Sequence, residues 1–434
     1  MTKTIFTRFL TLALSLGLVA GCGGNTGSSG SSSTGFTPAL DTDTAQIITV
    51  LGNYDNFEAL DAAALSFQEY YPNIEIKYEK LDEYNTNIGP RVTDDTDAAL
   101  FMINRYNFIE APELADVITD ISTLDIDFDG INEQAYKACY YDGKLYGIPL
   151  WFRLYGIVVN EDMFKDLGVD VPVTLDGLYE ACDAILKDDT TPLQQSADGV
   201  VTFYLPKLMN IVAKNMSDDE VASLLKGESG SADKLKDVYD MIFEHIDKKY
   251  ISLDNMLTYN DNYDAAILKF FEGKTPILVA TTSTVSGMEK RETRSDAFKE
   301  NPFTYSFHYT PTGEKEPQVY KAVDTGFALN KNCAYYDVAA EFYRFIYTED
   351  ILNQFAEVKG LPSVAANPTS ELYENLPDVA EDSLVLEGDF EDPTARIQDV
   401  FTEVTLDIFS GKITNTDDAL SHFEEHCKAQ ADES

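Results

Sequence analysis

The chain has 434 residues, of which 44% are hydrophobic and 12% aromatic, so it holds enough apolar material for two cores of ordinary size. Its 75 Asp and Glu residues outnumber 32 Lys and Arg residues, which gives a formal net charge of -43. That charge argues against a nucleic-acid-binding function, which needs clustered Lys and Arg, and against adsorption to an anionic lipid surface.

The first segment has the layout of an export signal. Lys3 and Arg8 give a basic start, residues 9–20 (FLTLALSLGLVA) form an apolar run of 12 residues, and Gly21 and Cys22 follow. The run is too short to span a bilayer, and we therefore predict a signal peptide over residues 1–21. The small residues that lead into Cys22 resemble the lipobox of bacterial lipoproteins, which implies that Cys22 carries a lipid and becomes the new N-terminus.

The next segment, residues 22–44, is predicted to be a flexible tether behind the lipidated cysteine. Its part GGNTGSSGSSSTG, residues 23–35, contains no aliphatic residue. A coil of this kind reaches about 20 Å. No second apolar span follows, so we expect a protein that is anchored to the membrane without crossing it. The remaining cysteines have no CxxC spacing or close partner, and we expect them to be free and buried: Cys139, Cys182, Cys333 and Cys427.

From residue 46 onward the pattern alternates between strands and helices. The first unit contains a strand at 46–52, a helix at 57–71 that Pro72 ends, and strands at 74–81 and 97–104. The later segments are predicted as a strand and short helix within 154–169, helices at 173–188, 205–216, 234–246 and 263–273, a buried strand at 275–281, strands within 303–311 and 319–332, one long helix from 334 to about 357, and two C-terminal helices. This rhythm predicts an α/β fold with right-handed crossovers.

Five segments, in order, resemble the bacterial extracellular solute-binding proteins of the sugar ABC-transporter type, the family of maltose- and multiple-sugar-binding lipoproteins. They are FQEYYPNIEIKYE, DGKLYGIPLWFRLYGIVVNEDMFKDLGVDVPVTLDGLYEA, FFEGKTPILVATTSTVSGM, AAEFYRFIYTEDILNQFAEVKGLPSVAAN and IFSGKITNTDDALSHFEE. The resemblance covers nearly all of residues 46–426. Ser283 departs from it, because many sugar binders have a tryptophan near this point, and that departure casts doubt on a stacking platform there.

The resemblance implies a two-lobe, type II periplasmic-binding-protein-like α/β fold, with discontinuous lobes joined by a hinge around a central ligand cleft. We expect the first lobe at 45–150 and 318–358 and the second at 153–315 and 362–430. It further implies capture of a mono- or oligosaccharide by hinge closure, without catalysis, and delivery to the permease subunits of an ABC importer. The expected protein is a lipid-anchored monomer that faces the extracellular side or the periplasm.

The candidate ligand-binding residues follow strand ends or lie on the crossings between lobes. Trp151, the only tryptophan in the chain, and Arg153 lie on the first crossing, where an aromatic face and a rigid set of donors suit a sugar. The other candidates are Asn53, Tyr54, Asn104, Arg105, Tyr204, Thr282, Ser283, Asp324 and Thr325. Amides, hydroxyls and a few charges around aromatic rings are typical of a polyol site.

Two alternatives to a sugar binder remain open from the residues. Arg153 and the shortage of tryptophan are compatible with another polar solute, such as an acidic sugar, a polyamine or a phosphorylated polyol. A surface glycoside hydrolase is the alternative from another class, although a catalytic carboxylate pair cannot be selected among 75 acidic residues. We expect no cofactor and no metal, since the acidic loop at 125–136 has Tyr136 where a calcium loop needs a glutamate.

Overall fold

The computed structural model describes residues 35–94, 96–104, 112–187, 190–259, 263–370, 373 and 375–433. Its strands are β1 Gln46–Gly52, β2 Ile74–Lys80, β3 Ala98–Ile103, β4 Tyr140–Tyr141, β5 Lys144–Leu145, β6 Ile148–Pro149, β7 Phe152–Asn160, β8 Leu193–Gln194, β9 Ile277–Thr281, β10 Tyr305–Tyr309, β11 Val319–Val323, β12 Gly326–Leu329 and β13 Leu384–Leu386.

The helices of the described residues are α1 Glu58–Gln68, α2 Tyr84–Asp94, α3 Glu133–Lys137, α4 Glu161–Leu167, α5 Leu175–Leu186, α6 Ala197–Asn215, α7 Asp218–Leu225, α8 Lys236–Asp247, α9 Leu253–Tyr259, α10 Tyr263–Lys269, α11 Thr282–Val285, α12 Met288–Glu292, α13 Asp296–Glu300, α14 Tyr336–Ile346, α15 Glu349–Lys359, α16 Thr394–Phe409 and α17 Thr416–Glu433. Short 3-10 turns occur at Pro112–Asp116, Ile121–Thr123, Phe128–Gly130 and Asp233–Leu235, and a π turn at Phe270–Lys274. None of the helices in this part of the chain combines the length and the apolar character needed to cross a membrane.

The first lobe is built on a five-stranded sheet in the order β2-β1-β3-β12-β6. β1 lies parallel to both β2 and β3, whereas β12 runs antiparallel to β3 and β6. β3 is buried throughout and β1 is buried from Ile48 onward, because helices cover the sheet, as their near-continuous apolar runs require. Helix α1 packs on it through Ala59, Leu60, Ala63 and Phe67, which share one face at helical spacing.

The second lobe is built on a six-stranded sheet in the order β13-β11-β7-β9-β8, with β10 added on β7. Its nine-residue strand β7 is buried along most of its length and pairs with β9, β10 and β11. Helix α6 is the central helix of the second core, and its N-cap is Ser196, whose hydroxyl accepts the Gly199 N–H at 3.3 Å. A separate aromatic core covers the other face around Phe270, Phe271 and Phe307.

The connections between the two sheets run side by side and are hydrogen-bonded to one another. Leu150 N donates to Thr325 O at 3.0 Å, and Asp324 N donates to Trp151 O at 3.1 Å. Phe152 N donates to Pro362 O at 2.9 Å, and Trp151 forms an isolated antiparallel bridge with Ser363. These backbone bonds join the three connections into one narrow ribbon, the arrangement from which hinge bending between two lobes is expected.

Two segments lie on the other side of the lobe limits expected from the sequence. β11, at Val319–Val323, belongs to the second sheet because it pairs with β7 and β13. Leu361, Val364 and Ala365 pack in the first core. The chain therefore passes from the second lobe to the first at residues 324–325, between β11 and β12, rather than at the expected residue 318. After α15 it stays with the first lobe through residue 365.

The four cysteines of the described residues are free and buried, as expected. The prediction of one long helix from 334 to about 357 was wrong about its continuity. The segment is two helices, α14 and α15, because the chain leaves helical geometry at Thr348, which has φ -79° and ψ 150° and starts α15 as its N-cap.

Candidate functional site

Polar candidates from both lobes meet at one edge of the first sheet. Asn53 and Tyr54 follow β1 and Asn104 follows β3, so all three lie at the carboxyl ends of parallel strands. Asp324 lies on the connection from β11 to β12, which brings it to the same edge. Ligands of open α/β sheets bind beyond the carboxyl ends of their strands, so this edge is the candidate site.

The centre of the site is an ion pair between Arg153 and Asp324. The guanidinium donates two hydrogen bonds to the carboxylate, from Nε to Oδ2 at 3.2 Å and from Nη2 to Oδ1 at 2.7 Å. Asp324 also accepts the Ser283 hydroxyl at 3.2 Å and the Thr325 N–H at 2.8 Å. The Arg153 side chain is 33% exposed and that of Asp324 is 11% exposed, so the pair is largely desolvated but can still be reached from the cleft.

The ionisation of this pair is fixed by its surroundings. Burial alone would raise the pKa of the Asp324 carboxyl, but the Arg153 guanidinium and the hydrogen bonds hold that pKa below its ordinary value. Burial works against the charged form of Arg153, but the neighbouring Asp324 raises the pKa of the guanidinium. Both groups are therefore charged at neutral pH, and the site presents fixed donors and acceptors.

Tyr54 supplies an aromatic ring beside this pair. Its backbone is held by Tyr78, whose hydroxyl accepts the Tyr54 N–H at 2.9 Å and donates to the Tyr54 carbonyl at 3.0 Å. Burial raises the pKa of the Tyr54 hydroxyl, and the Asp324 carboxylate raises it further. The hydroxyl therefore stays protonated and can donate. The Lys359 ammonium lies 4.4 Å from the centre of the Tyr54 ring, so one face of the ring already has a cation–π partner.

Two adjoining cavities open at this pair. The larger has a volume of about 540 Å³ counted out to the solvent at its mouth, and the smaller has about 330 Å³ on the same measure. Both are lined by Asn104, Val323, Asp324 and Glu387.

The sequence reasoning missed several residues that line these cavities. Glu387 accepts the Val323 N–H at 2.9 Å and lines both cavities. The larger cavity is also lined by Tyr155, which stacks on Tyr320 with ring centres 5.3 Å apart, and by Gln398. Glu387 reaches the site because it follows β13, which pairs in parallel with β11. The sequence does not reveal this strand, because three residues after a long irregular stretch show no periodicity.

Trp151 does not project into the cleft, contrary to the prediction. Its side chain has no exposed surface and lies in the first core, where its ring meets Phe57 edge to face with centres 6.3 Å apart. Residues two apart on one regular strand share a face, so the strand pattern alone would send Trp151 and Arg153 the same way. Trp151 instead lies just before β7 and is held by its isolated bridge to Ser363, which turns its side chain to the core, whereas Arg153 lies in β7 and pairs with Ala322. The indole Nε1–H has no hydrogen-bond partner among the described residues.

Tyr204 does not face the cleft either. It is fully buried in the second core, and a hydrogen bond of 3.0 Å joins its hydroxyl to Nδ1 of His245. Thr282 is also fully buried, and its hydroxyl accepts the Leu154 N–H at 3.2 Å, so it positions β7. Asn53 is exposed at the sheet edge. Arg105 and Cys22, the predicted lipidation site, lie outside the described residues.

The buried His245 predicts an acid dependence of stability. Burial lowers the pKa of its imidazole to about 3, whereas a histidine in an unfolded chain titrates near 6.5. Between these pH values the unfolded chain binds a proton that the native protein refuses, so the free energy of unfolding falls as pH falls, by about 1.4 kcal/mol per pH unit from this residue. We expect His245→Gln to flatten the measured decline between pH 6.5 and 4.

Chemical denaturation at a series of pH values checks this expectation. His422→Gln is the matched control, because His422 is partly exposed on α17 and should leave the decline unchanged. An identical pH slope in the wild-type protein and His245→Gln would contradict the assignment of this dependence to His245.

Within the described residues there is no group of three or more His, Cys, Asp or Glu side chains that could hold a metal ion. Two side chains of the loop at 125–136, Asp127 and Asn132, act as local caps. The Asp127 carboxylate accepts the Asp129 N–H at 3.2 Å, and the Asn132 side chain accepts the Gln134 N–H at 3.0 Å. These side chains satisfy the ends of short helices.

Solved structures similar to this chain share its two-lobe architecture. The GacH receptor of Streptomyces glaucescens, solved unliganded and with acarbose, has a TM-score of 0.68 and 16% identity over 88% of this chain and 97% of its own. The ABC substrate-binding protein Lmo0181 of Listeria monocytogenes, solved with cycloalternan, has a TM-score of 0.63 and 18% identity over 90% of this chain and 100% of its own. BlMnBP1 of Bifidobacterium animalis, an ABC-transporter binding protein solved with mannobiose, has a TM-score of 0.63 and 16% identity over 91% of this chain and 96% of its own.

No curated protein matches this sequence significantly. At the identities of the solved structures the likeness shows the fold, a periplasmic-binding-protein-like pair of α/β lobes. The family described as bacterial extracellular solute-binding protein matches residues 62–385, which is well over half of the chain. The matched residues include β2 and β3 of the first sheet, the connections between the two sheets and most of the second sheet. The chain therefore belongs to the bacterial extracellular solute-binding proteins.

Proposed function

We propose that this solute-binding protein captures a sugar, a mono- or oligosaccharide, in the cleft at the Arg153–Asp324 pair and delivers it to the permease subunits of an ABC importer. The observation that carries the proposal is a charged pair and an amide that line the larger cavity, Arg153, Asp324 and Asn104, with the protonated hydroxyl of Tyr54 beside the pair. Carboxylates and guanidinium groups bind vicinal hydroxyls through paired hydrogen bonds, and a tyrosine ring packs on sugar C–H groups.

The solutes of the similar structures support a carbohydrate. Those proteins were solved with acarbose, cycloalternan and mannobiose, and two of the proteins, Lmo0181 and BlMnBP1, are described as binding proteins of ABC type. An anionic solute fits the site less well, because the Arg153 guanidinium is already engaged by Asp324 and the larger cavity is also lined by Glu387 and Asp399. The proposed action is binding with hinge closure and no chemical step.

The N-terminal sequence supports the proposed cellular setting. We infer that residues 1–21 are removed as a signal peptide, that Cys22 carries the lipid, and that the stretch behind it tethers the folded part to the outer face of the membrane. The predicted limit of the tether at residue 44 was wrong, because Phe36 and Leu40 pack against the first core and Ala39 N donates to the Glu341 carboxylate at 2.7 Å. The folded part acts as a monomer. The proposed set of solute-contacting residues now omits Trp151, Tyr204 and Thr282, which are buried, and adds Glu387.

A thermal-shift panel tests the proposed solute class. The protein starting after Gly35 is heated with neutral mono- and oligosaccharides, uronates, phosphorylated polyols and polyamines. A solute at 100 times its dissociation constant stabilises the native state by about 2.7 kcal/mol, which raises the melting midpoint by a few degrees. We expect neutral sugars to raise the melting midpoint. We also expect the sugar to be recovered chemically unchanged. A shift with only a charged solute would overturn the carbohydrate assignment, and turnover of the sugar would overturn the proposal of binding alone.

A further inference from the structure

The chain between β13 and α16 crosses from the second lobe to the first. This segment, Glu387–Asp392, is named the cleft bridge here. Both of its ends belong to the second lobe, since β13 pairs with β11 and α16 packs in the second core. The Phe390 side chain nevertheless packs against the first core. The family match ends at residue 385, so the cleft bridge lies just beyond the part of the chain that the family defines.

The cleft bridge is hydrogen-bonded to the β4–β5 hairpin of the first lobe. Phe390 N donates to Tyr140 O at 3.1 Å, and the Glu391 carboxylate accepts the Asp142 N–H at 2.9 Å. Asp142 and Gly143 form the hairpin turn with φ of 47° and 70°, a geometry that matches the twist of a two-residue hairpin. The contact therefore joins a defined loop to a defined turn across the space between the lobes.

The cleft bridge is also folded tightly on itself. Asp392 N donates to Asp389 O at 3.1 Å, and Glu391 N donates to the Asp389 side chain at 3.0 Å. A Cβ at Gly388 would lie 1.7 Å from the Asp392 carboxylate, so a side chain at this position is incompatible with the loop. A loop with this many internal bonds has one preferred shape.

The position of the cleft bridge places it in the wall of the smaller cavity. Glu387, Gly388 and Phe390 line that cavity together with Cys139 and Asn104 from the first lobe. Glu387 also lines the larger cavity. The cleft is therefore walled at this end by chain that contacts both lobes, and a solute held at the Arg153–Asp324 pair cannot extend past it without breaking those contacts.

We propose that the cleft bridge closes one end of the solute cleft and restricts the site to short sugars, of one or two units. This inference rests on the proposed carbohydrate function. A longer oligosaccharide would have to displace Phe390 from the first core and break the Glu391–Asp142 hydrogen bond, so length is selected by the energy of these contacts rather than by recognition of a further sugar unit.

Two variants with a matched control test the length selection. Glu391→Ala removes the acceptor for the Asp142 N–H, and Phe390→Ala removes the packing on the first core. Glu228→Ala is the control, because Glu228 is an exposed glutamate on the second lobe, remote in sequence from the cleft bridge. Calorimetric titration uses oligomers of one to five units of the sugar that shifts the melting midpoint.

We expect the wild-type protein and Glu228→Ala to lose affinity by about tenfold or more between two and three units, equal to about 1.4 kcal/mol. The loss should shrink to less than about threefold in Glu391→Ala and Phe390→Ala, a difference of under about 0.7 kcal/mol. Equal length dependence in all four proteins, or wild-type preference for the longest oligomer, would overturn the proposal.

A second measurement needs no sugar. Cys139 is 4% exposed and lies in the wall of the cavity that the cleft bridge covers. Maleimide labelling followed by peptide mass mapping should modify Cys139 several-fold faster in Glu391→Ala and Phe390→Ala than in the wild-type protein or Glu228→Ala, with Cys182, Cys333 and Cys427 as internal references. Unchanged labelling of Cys139 would show that the cleft bridge does not close this end. Faster labelling in a protein that binds no sugar would support the closure and refute the proposed carbohydrate function instead.

Discussion

Replacing Asp324 with asparagine is expected to weaken sugar binding by roughly 30- to 150-fold, a loss of about 2–3 kcal/mol. The substitution keeps the shape of the side chain but removes the charge that fixes the Arg153 guanidinium. Asp324 also accepts hydrogen bonds from Ser283 and Thr325, so its carboxylate organises donors from three segments. The expected loss of binding free energy is at the lower end for a broken buried ion pair, because the Arg153 side chain is 33% exposed.

The control for Asp324→Asn is Asp254→Asn, because Asp254 is an exposed aspartate on α9, away from the crossings between the lobes. We expect the control to bind the sugar as the wild-type protein does. Asp324→Asn should melt a few degrees lower, since an ion pair that joins β7 to a crossing is lost, but it should still unfold in one cooperative transition. Full affinity in a folded Asp324→Asn protein would place the sugar elsewhere.

Replacing Trp151 separates a structural role from a role in binding. Trp151→Ala should lower the free energy of unfolding by about 3–5 kcal/mol, because it leaves a large cavity beneath the crossings. Trp151→Phe should be nearly neutral for stability, because it keeps the aromatic packing on Phe57 and removes an indole N–H that has no partner among the described residues. Its affinity for the sugar should also be unchanged, since the side chain has no exposed surface.

Chemical denaturation and calorimetric titration of both Trp151 variants check this pair of expectations. A stable Trp151→Phe protein that had lost sugar affinity would restore the stacking platform predicted from the sequence. Equal stability of Trp151→Ala and the wild-type protein would contradict the assignment of Trp151 to the first core.

The elements of the fold were predictable wherever local pattern decides the structure. The strand predicted at 46–52 is β1 with the same limits, because a β-branched run between polar residues can be read directly. The helix predicted at 205–216 begins at residue 197 instead, since its start depends on the Ser196 cap followed by a stretch with little polarity contrast. The strands predicted within 319–332 were found, but only the sheet pairing shows that β11 and β12 belong to different lobes.

The candidate site was predictable only in part, because a sequence gives positions on strands but not which way a residue beside a hinge points. Arg153, Asp324, Ser283 and Tyr54 were selected separately, and the structure brings them to one place. Trp151 is two residues before Arg153 but is turned into the core by its pairing with Ser363, a contact 212 positions along the chain that no local pattern contains. Glu387 was missed for the same reason, since its neighbour Val323 is distant in sequence.

Calorimetric titration of the protein starting after Gly35, with the sugar that shifts its melting midpoint, measures whether the Arg153–Asp324 pair holds the solute. We predict saturable binding of one sugar per chain in the wild-type protein and in Asp254→Asn, and binding weaker by roughly 30-fold or more in Asp324→Asn. Absence of saturable heat with every neutral sugar would contradict the proposed function. Equal affinity in all three proteins would contradict the placement of the sugar at the Arg153–Asp324 pair.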